Sequence, residues 1–210
     1  MNWSRIQDTT ELALEAYILM NENEINGCQY HNNDHIDDMY QYFEDTNEPY
    51  DEALDWAVMF HDVVYDAEPE KESRSANLFF EMSKKYRGCN LDTNGIDRVQ
   101  FLIMETETHK VTKDVYLKGS SAIIRADLHA LTSNVDAINN FTKIMNESMS
   151  LYGCSIEDFA ANNIQFMSGL HQRMAINILN VHEDEKLFFE MVQGGIDLTI
   201  RMAQAIKDSK

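Results

Sequence analysis

Basic residues are missing from the first third of this chain. None of its 17 lysines and arginines lies between Ile6 and Glu70, a stretch that carries 18 of the 36 carboxylates. The formal charge is −19, and nearly all of the excess sits there. Nucleic-acid backbone and anionic membranes are bound through lysine and arginine, so both are poor partners for such a chain. The stretch is not a disordered acidic tail, because Leu12, Tyr17, Tyr30, Ile36, Phe43, Trp56, Phe60 and Val63 are interleaved with the acids. Cysteine is scarce too. Cys28, Cys89 and Cys154 are odd in number, widely spaced and form no CxxC, which argues against a disulfide scaffold or zinc ribbon and for a reducing cytoplasm. Met1 to Thr10 shows no basic segment followed by an apolar run, and nothing approaches the roughly 18 apolar residues of a membrane helix. A soluble cytoplasmic protein is expected, of a composition that suits a phage or low-GC bacterial source.

Helix breakers are equally few. Two prolines (Pro49, Pro69) and eight glycines punctuate the chain, and alternating β-branched runs are nearly absent. What is present has helical period: Ile36, Met39, Tyr40 and Phe43 recur at i, i+3, i+4, i+7, and Ile96, Val99, Leu102, Ile103 and Thr106 follow a similar stripe. The run from Ala53 to Val64 is apolar on most faces and reads as a buried central helix opened by Pro49. Further helices are expected near 9–24, 71–86, 121–131, 134–150, 156–180 and 184–206, with Gly88, Gly95, Gly119, Gly153 and the Gly194-Gly195 pair as turns or breaks. No repeat or linker divides the chain. The expectation is one all-α domain over 1–210, with the methionines of the C-terminal helices filling core gaps.

The familiar cradles are lacking: there is no GxxxxGK[ST], no GxGxxG and no GxSxG. His31 and His35 have the HxxxH spacing that sets two imidazoles on one helix face, but Asn32 stands where a zincin needs its glutamate. His61-Asp62 is more informative, because it lies inside the most apolar run, Trp56 to Val64. A buried carboxylate costs several kcal/mol, roughly, unless it is paired or metal-bound. The competing reading is a satisfied core pair. Asp127, in Ile123-Ile124-Arg125-Ala126-Asp127-Leu128, is a second carboxylate in an apolar setting, for which a helix cap or a pair with Arg125 is the simpler account. His129, His171 and His182 have no partner spacing.

In order, His31, His61-Asp62 and Asp127 spell H…HD…D. Around them stand Tyr30-His31-Asn32-x-x-His35-Ile36, Trp56-Ala57-Val58-Met59-Phe60-His61-Asp62-Val63-Val64-Tyr65-Asp66, Glu72-x-x-Ser75-Ala76, Ile103-x-x-Thr106-x-x-His109 and Ala126-Asp127-Leu128. This set resembles the HD-domain superfamily of metal-dependent phosphohydrolases, and in particular a subgroup with YHN..H, FHDxxYD, ExxSA, TxxH and ADL motifs. The resemblance covers about residues 30–128; the helices of 133–207 would pack on that core. It implies an all-helical HD bundle in which His31, His61, Asp62 and Asp127 hold one divalent ion (Mn, Fe, Co, Ni, Zn or Mg), often a transition metal. It further implies hydrolysis of a phosphomonoester or phosphoanhydride of a small molecule, a nucleotide first, by water activated at the metal. Asp66 and Glu72 are the candidate acid–base residues. His35, Thr106, His109, Lys110 and Arg74 are candidates for contact with substrate, with Lys71 and Arg125 the other nearby bases.

The sequence departs from the pattern in places. Cys28 occupies a position that is basic in the subgroup. Tyr65-Asp66 replaces the Glu-Asp of the guanosine-tetraphosphate hydrolases. His109 is the only histidine between Asp62 and Asp127, whereas the two-metal phosphodiesterases have two there. A single metal is therefore favoured; a cyclic-nucleotide phosphodiesterase and a non-catalytic metal- or nucleotide-binding module are the alternatives. Self-association is left open.

Overall fold

The computed structural model describes residues 10–112 and 117–209, and among them the chain is all-α, a single domain with no strand. The helices are α1 (Glu11–Ile25), α2 (Asn33–Asp45), α3 (Glu52–Phe60), α4 (Lys71–Lys85), α5 (Thr93–Thr108), α6 (Leu117–Leu128), α7 (Asn134–Tyr152), α8 (Ile156–Asn180) and α9 (Glu183–Asp208), with a 3-10 turn at His129–Thr132 between α6 and α7. Each helix expected from periodicity is present within a few residues. Caps account for several starts: the side chains of Thr10, Asn32, Asp51, Asp92, Ser133 and Ser155 each accept a hydrogen bond from a first-turn amide, worth about 1 kcal/mol apiece.

The apolar run does form the central helix. Every residue of α3 from Ala53 to Phe60 is buried, and α3 packs against α1, α2, α4, α5 and α6. Trp56, Phe60 and Phe79 form an aromatic cluster there, with Phe60 and Phe79 edge to face at 5.2 Å. The helix is shorter than the apolar run. It ends at Phe60, and His61 satisfies a terminal carbonyl by donating from Nδ1 to the oxygen of Val58.

The C-terminal half is organised by α8 and α9, which pair extensively, with α7 packed on both. A smaller core of Phe141, Phe159, Ala160 and Ala203 joins these three helices. The expected break at Gly194-Gly195 does not occur, because α9 runs through both. Gly195 is small for packing instead: a Cβ there would lie 1.9 Å from the carbonyl oxygen of Leu131 in the 3-10 turn. Gly95 and Gly119 likewise lie inside helices, α5 and α6, rather than between them. Gly153 ends α7 with φ +61°, as a glycine cap does. No helix among the described residues is long and apolar enough to cross a membrane.

Candidate metal centre

The end of α3 delivers the two central side chains. With its Nδ1 hydrogen given to Val58 O at 2.8 Å, the His61 ring turns Nε2 inward. That nitrogen is buried and makes no hydrogen bond among the described residues, although Asp62 Oδ2 is 2.9 Å away and Asp127 Oδ1 4.0 Å. Carboxylate oxygens at these distances call for positive charge at Nε2, either a proton on the ring or a cation bound in its place. Burial disfavours a charged His61, but the carboxylates of Asp62 and Asp127 outweigh it and raise the imidazole to about 9. Asp62, whose burial alone would push it up, is held below the ordinary carboxylate range by His61, His31 and His35. These groups together can accommodate positive charge.

His35 completes the cluster from α2. Its Nε2 lies 3.2 Å from Asp127 Oδ1 and 3.8 Å from Asp62 Oδ2. Burial lowers its pKa despite those acids, which favours the neutral, ligating form. Donor atoms of His35, His61 and Asp62 all fall within 4.8 Å of one another, a group that can hold a metal ion. Asp127, from α6, bridges outward: Oδ1 meets His35, and Oδ2 is 3.0 Å from His109 Nε2. Burial opposes its charge, but the bonds from His109 and His35 keep it ionised, well below the usual range. His109 caps α5 in the left-handed region, φ 51°. Buried Asn177 holds it there, donating to His109 O at 2.9 Å and accepting from Val111 N at 2.8 Å.

His31 is not on a helix face. Asn32 is the N-cap of α2, so His31 belongs to the preceding loop and His35 to the helix. The spacing that suggested a shared face is cut by that cap. His31 is nevertheless fixed. Its Nδ1 is 2.5 Å from Glu147 Oε1, its ring stacks on Tyr65 at 3.7 Å, and Glu147 Oε2 accepts from the amides of Tyr30 and His31 at 2.9 and 3.1 Å. Burial would raise Glu147, but the His31 bond wins and its pKa is lowered. A carboxylate bonded to one ring nitrogen is the usual support of a ligating histidine.

The cluster opens on a cavity of about 370 Å³ that reaches α7, α8 and α9. His31, His61, Asp62, Asp127 and His109 line it, with Thr106, Glu72 and Lys71. Thr106 is buried with its hydroxyl on Ile103 O. Lys71 Nζ sits 3.8 Å over the Tyr65 ring and 2.5 Å from Tyr152 Oη. The other charged candidates are engaged elsewhere. Asp66 and Arg74 form a half-exposed ion pair with each other, Lys110 is exposed, and Arg125 pairs with Glu48 and Glu185; none of the four lines the cavity. Cys28 is buried, and burial with the acids of Glu147 and Asp62 pushes its thiol up to about 12, so it supplies no charge.

Glu147 is a residue the motifs did not indicate. Its only sequence signal is a carboxylate one turn from Ile144 on an inward stripe. No protein-family model, curated protein or solved structure matches the chain.

Proposed function

We propose that the protein is a metal-dependent phosphohydrolase of the HD type that cleaves a phosphate ester or anhydride of a small molecule, with nucleotides the favoured substrates. One observation carries the reading: the buried Nε2 of His61, lacking a hydrogen bond, faces Asp62 and Asp127 with His35 alongside. Two classes of donor, imidazole and carboxylate, suit a divalent transition metal or magnesium. His61, Asp62 and Asp127, with His31 and His35, are the residues that would hold it. Bound there, such an ion would supply Lewis acidity toward water and a phosphoryl oxygen.

The chain's own groups supply the rest. Lys71 is the lysine among the described residues of the cavity wall and would meet phosphate. Glu72, on the same wall, would carry a proton to or from the reacting oxygens, a role its position favours over Asp66, which pairs with Arg74. His109 acts through Asp127 as a positioning residue. The ordered motifs around these positions support the same reading.

The test is metal content of the purified protein, then phosphate release from mono-, tri- and cyclic nucleotides with Mn, Fe, Co, Ni, Zn or Mg. The expected result is metal-dependent release that Asp62→Ala abolishes together with metal binding. Unchanged metal content and release in that variant would overturn the proposal. Stoichiometric nucleotide binding without release would favour the non-catalytic alternative.

A further inference from the structure

The cavity extends well past the metal cluster, and its far wall is chemically distinct. Phe141 and Ile144 of α7 and Phe159, Phe166 and Met167 of α8 line it, with the Phe141 and Phe159 rings edge to face at 5.4 Å. In this apolar wall stands Asn163. Its residue is 7% exposed, it lines the cavity, and its Oδ1 is buried with no hydrogen-bond partner among the described residues. Polar side-chain atoms in folded proteins are rarely left so, because an unmade buried hydrogen bond is costly. Asn140 and Asn162 line the same compartment and extend its polar edge.

The volume, about 370 Å³, falls among small-molecule sites and exceeds what phosphate and an ion require. An alkyl or acyl chain would fill the apolar part yet leave the Asn163 amide unpaired. A sugar would bring hydroxyls to aromatic walls. A flat heteroaromatic group with ring N–H or amino donors satisfies both features: its faces stack on phenylalanine and its edge pairs with an amide.

We infer that the compartment between α7 and α8 is a nucleobase-binding site in which Asn163 accepts a hydrogen bond from the base and Phe166 covers its face at the mouth. Resting on the phosphohydrolase reading, this makes the substrate a nucleotide whose phosphate lies at the His61–Asp62 end, and it makes base recognition a property of the C-terminal helices.

The test uses free nucleosides, which carry no phosphate. Adenosine, guanosine, cytidine and uridine are titrated calorimetrically against the full-length protein and against Asn163→Leu and Phe166→Ala. At least one nucleoside is expected to bind, and each variant to weaken it about tenfold or more. In parallel, ribose 5-phosphate and the matching nucleoside monophosphate are compared as substrates, and Asn163→Leu is expected to raise KM for the nucleotide alone. Phe166 is about half exposed (48%), so its truncation keeps the test valid should Asn163→Leu fail to fold. If no nucleoside binds, or if octyl phosphate binds as tightly with no dependence on Asn163, the inference falls. Phosphate release from ribose 5-phosphate as fast as from any nucleotide would sink it while leaving the hydrolase reading standing. Nucleoside binding that depends on Asn163, with no phosphate release at all, would do the reverse.

Discussion

Replacing Glu147 with alanine probes the support of His31 directly. One carboxylate, 2% exposed, takes hydrogen bonds from the His31 ring and from the amides of Tyr30 and His31. Alanine orphans two backbone donors and a ring nitrogen together. Each orphaned buried donor costs about 1–3 kcal/mol, and a hydrogen bond to a charged carboxylate contributes about 1.5–3 kcal/mol. Tyr30 and His31 line the cavity, so water admitted there offsets part of the loss, and about 3 kcal/mol is the expected destabilisation. Glutamine keeps one acceptor in place and should cost about 1–2 kcal/mol. Urea unfolding in chelator gives these values without a contribution from metal. Metal competition titrations on the same proteins should show a loss of affinity of about 10–100-fold, the usual effect of removing a ligand's supporting carboxylate. A Glu147→Ala protein within about 0.5 kcal/mol of wild type, binding metal unchanged, would refute both the energetic argument and the placing of His31 among the metal-holding residues.

Adding Mn or Co at about 100 times its dissociation constant should stabilise the wild type by about 2.7 kcal/mol, read as a raised Tm, and leave Asp62→Ala unmoved; an equal shift in both would place the ion elsewhere. Gly195→Ala should destabilise by more than about 2 kcal/mol, since its Cβ would meet the Leu131 carbonyl at 1.9 Å. Gly194→Ala, with nothing within 4 Å of its Cβ, should stabilise α9 by about 0.5–1 kcal/mol; the two melts must differ in sign. Breaking the half-exposed Asp66–Arg74 pair by Asp66→Asn should change stability by no more than about 1 kcal/mol and leave phosphate release intact, whereas Glu72→Gln should slow release severalfold.

Helix positions were legible because period and caps act locally. The stripe Ile36, Met39, Tyr40, Phe43 is the buried face of α2, and Val99, Leu102, Ile103 and Thr106 are that of α5. The end of α3 was less so, because the apolar run continues past Phe60 to Val64 and only the His61–Val58 hydrogen bond marks the stop. Asn32 is a cap signal, and it puts His31 in the loop and His35 in the helix despite their HxxxH spacing. Gly194-Gly195 has the look of a break, and only the three-dimensional approach of Leu131 explains why a helix keeps it. Glu147 was beyond reach for a different reason. It lies 116 residues from His31, and nothing local tells a buried acid on α7 which histidine it will meet. Asn163 belongs to no motif; it falls in the stripe Phe159, Asn163, Phe166, Met167, Leu170, and only the cavity gives that placement a consequence.

The base-free first third acquires a specific role from this geometry. It supplies α2 and α3, and with them His35, His61 and Asp62. The first basic residue after it, Lys71, opens α4 and reaches the cavity wall. Under the proposed function, phosphate approaching the site would meet Asp62 and Asp127 with one lysine among the described residues of the wall to offset them, an unfavourable balance until a divalent cation is present. Under the proposed function, binding of the phosphate end should depend on prior metal binding, whereas binding of the base end, walled by α7 and α8, should not. On that reading the cavity has two ends of different electrostatic character, and the acidic excess that disfavours polyanions would still admit one small anion held by metal.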